Sequence, residues 1–530
     1  MLSPSVDSLT RRQRAAPGEA FPMIDHRQAA RAGEALRHFI ATPLDQLLER
    51  GSGQDPAAAA LALFHDVARS VPAYGHFLAE QGIDAARIRS PQDFQALPLV
   101  TKQNYLTRHP LARLCRGGRL ESCDFVAVSS GSTGKPTFWP RFLADELPIA
   151  TRFEQVFHDS FQADRRRTLA VVCFALGTWV GGMFTANCCR YVAAKGYPIT
   201  VVTPGGNRDE IWRIVRELAP QFEQTVLLGY PPFLKDVIDG GRAQGIDWRP
   251  LRVKLVLAGE VFSEEWRSLV GERLGATDFC YDSASLYGTA DAGVLGNETP
   301  LSICIRRFLG ANPDAARQLF GESRLPTLVQ YDPFVRYFEA LPDADGRGHT
   351  LLFTGDNGVP LVRYHIADNG GIVPYDAMLH FLADWKFDPL AALGGHAWRG
   401  ARRLPFAFVF GRANFTVSYF GANIYPENIG VGLDQAPVSE WVTGKFVLQA
   451  KEGLEGAPHL AIAVELAPGM AGDAAKQAAI ETSILTHLLR LNSEFANYTP
   501  PEYRRPRVTL HAAGDPDWFP PGVKHRYTRR

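Results

Sequence analysis

Neither sign of charge is in excess. Lysine and arginine total 56, and so do aspartate and glutamate. With no net charge, the chain offers no bulk field that would draw in a nucleic acid or an anionic membrane surface. Cysteine is sparse: seven residues, scattered, with no Cys-x-x-Cys pair, and Cys188 and Cys189 stand too close for a metal-ligand spacing. This argues against a disulfide framework and a cysteine zinc site, and suits free thiols in a reducing cytoplasm. No apolar run reaches the ~18 residues that a membrane span needs. Arg11, Arg12 and Arg14 stand near the start, but AAPGEAFPMIDHRQAARAGE after them has no apolar core, which argues against an export signal. Internal repeats and low-complexity tracts are also absent.

What is present is an ordinary globular composition, 46% apolar and 21% charged over 530 residues, enough for a sizeable core and more than one domain. Residues 1–25 read as a loosely packed arm. A helical pattern runs from Asp25 to Arg50, GSGQDP follows as a linker, and a second helix is expected near Ala57–Arg69. From about Phe125 to Gly293, short apolar runs alternate with amphipathic stretches. LAVVCF, ITVVTP, TVLLGYP and VKLVLAGE read as buried strands; NRDEIWRIVREL, PPFLKDVIDGGRAQG and SEEWRSLVGERL read as helices. Strand–helix alternation predicts an α/β layered domain with parallel strands. Thr327–Val373 is more strand-rich. The C-terminal end reads as a smaller α+β unit holding FAFVFG, KFVLQA and LAIAVEL, a long helix near Gly472–Asn492 and a last strand, RVTLH.

The sharpest local signal is Ser129-Ser130-Gly131-Ser132-Thr133-Gly134-Lys135-Pro136-Thr137, directly after the apolar run FVAV. Two glycines let the backbone turn tightly and approach an anion. Successive N–H groups in such a turn form an anion-binding concavity, the hydroxyls of Ser130, Ser132 and Thr133 add donors, and Lys135 adds positive charge. It is not a Walker A loop, because Gly131 and Gly134 are too close and Pro136 follows the lysine.

SSGSTGKPT resembles the phosphate-binding signature of the adenylate-forming superfamily, which holds acyl-CoA synthetases, peptide-synthetase adenylation domains and luciferases. The surroundings resemble its phenylacetate–CoA ligase branch: VPAYGHFLAEQGI and SPQDFQALPLVTKQNYLTRHPL are similar to the N-terminal stretch of those ligases, and the likeness runs in order from about Val71 to the C-terminus. It implies an α/β fold with an arm and helix at 1–50, a large layered ATP- and acid-binding domain at 51–411, and a small mobile α+β domain at 412–530.

The resemblance also assigns residues. In LVLAGEVFSEEW, Gly259-Glu260 is the turn beside the adenine. In SLYGTAD, Tyr287 is implied to stack on the adenine, with Gly288 beside it and Thr289 near the α-phosphate; Asp291 stands where the family has a Mg²⁺-binding glutamate, and Ala290 replaces its Thr or Ser. PLVRYHIADNGGIV implies that Asp368 binds the ribose. FVFGRANFTVSYFGANIYPENI resembles the hinge: Arg412 is implied to contact nucleotide, and Asn414 occupies the hinge aspartate position. The tail PPGVKHRYTRR holds Lys524 as the catalytic lysine, with Thr133 of the loop as a second catalytic residue. The same tail also reads as a solvated basic end, with Arg526, Arg529 and Arg530. Trp179, Phe184 and Tyr230 suit an aromatic or hydrophobic acid. The spacer between Asp368 and Arg412 is longer than usual and reads either as a packed helical insertion or as a lid.

The implied activity is ATP-dependent and AMP-forming. A carboxylic acid becomes an acyl-adenylate with release of pyrophosphate, and the acyl group passes to coenzyme A, to an amine, or to a carrier-protein thiol. A non-catalytic nucleotide- or acyl-binding relative is the reading from a different class.

Overall fold

The computed structural model describes residues 26–49, 53–120, 123–129, 137–178, 180–322, 324–342, 349–394, 400–411, 417–420, 422–452, 458–520, 525, 527 and 528. An 11-stranded sheet organises most of the chain. In spatial order its strands are Arg336–Pro342, His349–Gly355, Leu361–Val373, Phe406–Gly411, Thr327–Gln330, Gly293–Asn297, Ser283–Thr289, Val253–Ala258, Gln224–Gly229, Thr168–Val172 and Ile199–Val202. The five strands from Ser283–Thr289 to Ile199–Val202 pair in parallel; the remaining pairings are antiparallel.

The parallel half follows from its sequence. Thr168–Val172 and Gln224–Gly229 are buried at every position, as expected of strands covered on both faces. Their polar residues pair with each other: Gln224 Nε2 donates to Thr168 Oγ1 at 2.8 Å. Helices Arg208–Glu217, Pro231–Ala243 and Glu264–Leu274 cross between these strands. Asn207 and Ser263 cap the first and third by accepting backbone N–H bonds. Below the strand Ser283–Thr289 lies a buried ion network. Arg267 bridges Glu264 and Glu298, at 2.9 and 2.7 Å, and Glu298 accepts from Ser285 N at 2.8 Å. Removing one member would strand a buried charge, at a cost of roughly 3–5 kcal/mol, so the base of this strand is held rigidly.

FAFVFG is Phe406–Gly411 of the large sheet, paired to Gly370–Val373 and Thr327–Gln330; it is not part of the smaller C-terminal unit. The spacer folds as helices Tyr375–Asp384 and Pro389–Leu393. Met378, Leu382 and Leu393 share a buried cluster with Leu301, Ile305 and Phe406, and Phe387 stacks on Phe308 at 4.1 Å. The described part of the spacer is thus a packed insertion; His396 and Trp398 lie outside the described residues.

The C-terminal residues build a separate three-stranded sheet, Val442–Glu452, Pro458–Leu466 and Arg507–His511. Helices Pro426–Leu433 and Ala474–Leu491 pack on it over their own buried core, which includes Ile429, Phe446, Ile462 and Ile484. Its junction with the large sheet's layer is ionic. Lys235, almost fully buried, donates to Val442 O at 3.0 Å. Arg273 pairs with Glu440 at 2.9 Å, Lys445 pairs with Asp236, and Ser263 Oγ donates to Asp434 at 3.1 Å.

Candidate active site

The sequence-nominated residues that the structure describes converge where the parallel strands end. After Val253–Ala258 comes Gly259, with φ +83°; a Cβ there would stand 2.8 Å from the Tyr230 ring. Only glycine tolerates both the left-handed backbone and that approach. The next residue, Glu260, accepts a hydrogen bond from the Tyr527 hydroxyl at 2.9 Å. Tyr230 packs edge-on against Phe174 at 4.9 Å. Burial, reinforced by the charge of Glu260, pushes its phenol up to about 12.

The neighbouring strand Ser283–Thr289 carries Tyr287, Gly288 and Thr289 to the same end, then reverses tightly into Gly293–Asn297. Thr289 Oγ1 accepts from Ala292 N at 3.2 Å and closes the turn. Gly293, at φ +72°, lies so close to Ile149 and Phe184 that a Cβ would stand 2.8 and 3.2 Å from them. Asp291 therefore projects from the tip of a short reversal. Its Oδ2 accepts from the Tyr364 hydroxyl at 2.6 Å.

Two buried arginines grip this turn on either side of Asp291. Arg141 donates to Ala290 O, and Arg336 donates to Ala292 O at 2.9 Å and to Asn357 Oδ1 at 2.8 Å. The Nε of each is buried and makes no hydrogen bond among the described residues. Burial, with the like charge of Arg141, holds the Arg336 guanidinium down at about 10. Beside Arg141, burial pushes the Glu146 carboxyl up to about 7, although the arginine charge and a bond from Tyr191 oppose it.

Asp368 comes from the antiparallel half. It follows Ala367, whose φ of +64° and the register shift at Asn369/Gly370 break the regular strand. A non-glycine residue there costs about 1–3 kcal/mol, and such strain collects at functional sites. Tyr287 donates its hydroxyl to Asp368 Oδ2 at 2.7 Å, and Thr350 Oγ1 donates to the Asp368 carbonyl at 3.3 Å. Asp368 itself is buried. The Tyr287 ring is half-buried and near-parallel to Phe338 at 6.5 Å.

Ser129 stands at the mouth of the hairpin Phe125–Val128/Phe138–Arg141, where its Oγ accepts from Thr137 N at 2.9 Å. Val128 N bonds Thr178 O at 2.8 Å, which joins this hairpin to the segment leading to Phe184. Phe184 is buried in the core that holds Ile149 and Phe153, with the Arg141 guanidinium 5.7 Å from its ring centre. Ser130, Gly131, Ser132, Thr133, Gly134, Lys135, Trp179, Arg412, Asn414 and Lys524 lie outside the described residues.

The structure thus joins Tyr287 to Asp368 directly, sets Asp291 two residues beyond Thr289, and brings Glu260 and Tyr230 to the adjacent strand end. Sequence reasoning passed over Arg141, Arg336 and Tyr527. Arg141 did leave a trace, as a lone arginine closing the apolar strand FWPR. Among the described residues no cluster of three or more His, Cys, Asp or Glu forms a metal cage. Mg²⁺ beside phosphates is held by one or two carboxylates plus the substrate itself, and Asp291 offers one half-buried carboxylate there. Asp291 therefore fits that role.

No family profile matches the chain. A phenylacetate-coenzyme A ligase of Pseudomonas putida is 24% identical over 309 residues, 58% of this chain and 63% of the ligase, so the match spans less than two thirds of that relative's length. Among solved structures, 2-hydroxyisobutyryl-CoA ligase in the postadenylation state, in complex with R3-HIB-AMP, superposes with a TM-score of 0.63 at 15% identity, over 92% of each chain. The acyl acid amido synthetase AtGH3.15 in complex with 2,4-DB gives 0.56 at 12% identity, over 96% of this chain and 95% of that one. The chain therefore has the fold of these acyl-activating ligases, and in sequence it is similar to a phenylacetate-coenzyme A ligase.

Proposed function

We propose that the protein is an ATP-dependent, AMP-forming carboxylic acid ligase that makes an acyl-adenylate and transfers the acyl group to coenzyme A. The observation that carries this reading is the hydrogen-bonded pair Tyr287–Asp368 next to Asp291. In this reading the Tyr287 ring stacks on the base, Asp368 binds the ribose and Asp291 takes the cation. The division at 51–411 and 412–530, with Asn414 at the hinge, belongs to the same proposal, as does an aromatic or hydrophobic acid beside Trp179, Phe184 and Tyr230. The seven cysteines are all free thiols, which suits the cytoplasm. No helix of the described residues is long and apolar enough to cross a membrane.

In the first half-reaction a carboxylate oxygen forms a bond to the α-phosphorus while the bond from that phosphorus to the pyrophosphate oxygen breaks. Attack of one anion on another is helped by fixed donors and positive charge more than by a general base. The loop Ser129–Lys135, Thr133 within it, and Lys524 supply these, while Arg412 and Gly259–Glu260 border the nucleotide. Mg²⁺ held at Asp291 would screen phosphate charge.

The test is nucleotide analysis after incubation with ATP, Mg²⁺ and a panel of aromatic and aliphatic acids. AMP and pyrophosphate are expected; ADP and phosphate as sole products would overturn the assignment. A second reading, an amide-forming synthetase, is favoured by the near-complete overlap with AtGH3.15. A thioester on addition of coenzyme A supports the first reading; an amide, with coenzyme A leaving AMP release unchanged, supports the second.

Asp368→Ala is expected to weaken ATP binding by about 1–3 kcal/mol, the value of hydrogen bonds to a charged group, with little loss of fold. Calorimetric titration of nucleotide checks it. Unchanged affinity in a folded variant would reduce Asp368 to a partner of Tyr287.

A further inference from the structure

Strand Leu361–Val373 brings two side chains to the site: Tyr364, whose hydroxyl bonds Asp291, and Asp368, which accepts from Tyr287. Between them the strand bulges. Leu352 pairs with His365 and Thr350 with Asn369, so Ile366, Ala367 and Asp368 stand opposite the single residue Leu351. A bulge re-aims a side chain. Ile366 sinks into the core with Leu351 and Phe353, Ala367 turns left-handed at φ +64°, and Asp368 follows. With no glycine at that turn, its shape has to be held by outside contacts. Thr350 supplies them. Its hydroxyl donates to the Asp368 carbonyl at 3.3 Å, and its Oγ1 stands 2.8 Å from His365 Nε2. A hydroxyl has one proton to give, so toward the ring Thr350 accepts, and His365 carries its proton on Nε2. The His365 backbone N–H is fixed on the other side by Val100 O at 2.9 Å. Burial holds the imidazole below the ordinary histidine range, against the pull of Asp368. One threonine thus ties His365, before the bulge, to Asp368, which closes it.

We infer that Thr350 and His365 are positioning residues for nucleotide recognition: the threonine hydroxyl clasps the two ends of the bulge and so holds the Asp368 carboxylate at Tyr287, where it selects the ribose hydroxyls. This role rests on the ligase reading, in its assignment of Asp368 to the ribose, and extends the ribose site to the facing strand His349–Gly355. Neither residue touches the nucleotide in this account. Both act through the carboxylate, so they bear on how well the ribose is told from a sugar without hydroxyls and not on the phosphates.

The test is calorimetric titration of the full chain with ATP and with 2′,3′-dideoxy-ATP, without acid, so that nothing turns over. The unaltered protein is expected to bind ATP about ten- to a hundredfold more tightly, the value of hydrogen bonds to a carboxylate. Thr350→Val keeps the shape and removes both bonds, and there the ratio should fall to about threefold or less; Thr350→Ser keeps the hydroxyl and should return it to within about twofold of the unaltered value. His365→Ala, which leaves Thr350 without its donor, should also lower the ratio, and it becomes the deciding variant should Thr350→Val not fold. A threonine that served only the sheet would weaken both nucleotides alike and leave the ratio unchanged, which overturns the inference. Equal binding of the two nucleotides by the unaltered protein overturns it as well, because Asp368 then meets no ribose. The ligase reading is decided separately, by AMP against ADP in the product analysis: a protein that forms no AMP, yet loses its ribose preference in Thr350→Val, keeps these positioning residues and loses that reading.

Discussion

Lys524→Ala is expected to slow acyl-adenylate formation by about a hundred- to a thousandfold, the usual effect of removing one preorganised partner of a developing charge. The expectation is specific to one half-reaction. As carboxylate oxygen closes on the α-phosphorus, negative charge gathers on the equatorial oxygens and on the departing pyrophosphate, and an ammonium bridging acid and phosphate offsets it. Transfer of the acyl group needs no such bridge, because the adenylate is already an activated mixed anhydride. Pyrophosphate exchange should therefore collapse in the variant while supplied acyl-adenylate is still turned over. Normal exchange would return the lysine to the solvated basic tail.

How much of this was legible in the sequence depended on the range of the interaction. LAVVCF, TVLLGYP and VKLVLAGE announced buried parallel strands because continuous apolar runs between amphipathic helices have few other solutions. FAFVFG was equally apolar, but nothing in a run of that kind says which sheet receives it. Its partners, Gly370–Val373 and Thr327–Gln330, are set by tertiary pairing. Tyr287, Asp291 and Asp368 were nominated through motif resemblance, yet the bond joining Tyr287 to Asp368 spans 81 positions and leaves no local mark. The same holds for Arg141, whose contact with Ala290 spans 149 positions, and for Tyr527, which looked like one residue in a run of basic ones. His525 and Tyr527 alternate with charged neighbours in the sequence, a strand-like period too short to stand out.

Asp291→Ala is expected to cut adenylation by about a hundredfold or more, since a bound cation contributes several kcal/mol of charge stabilisation in such reactions. In the proposed cation site an aspartate stands where the resembling family carries a longer carboxylate, and the turn around it is tightly held. Arg141 and Arg336 hold the carbonyls of Ala290 and Ala292, and Tyr364 holds the carboxylate itself. With the backbone pinned on both sides and the side chain on a third, the carboxylate loses little further freedom on taking up a cation, which compensates for its shorter reach. Two consequences can be measured. Asp291→Asn keeps the shape and the Tyr364 partner but loses the charge, so it should fall nearly as far as the alanine variant and demand far more Mg²⁺ for half-maximal pyrophosphate exchange. Asp291→Glu keeps the charge and should retain activity within about tenfold, its extra methylene costing some 1–3 kcal/mol of crowding in a turn this confined. If the asparagine variant shows an unaltered rate and an unaltered Mg²⁺ requirement, Asp291 is a turn residue bonded to Tyr364, and the cation must be held by the substrate's phosphates with another carboxylate.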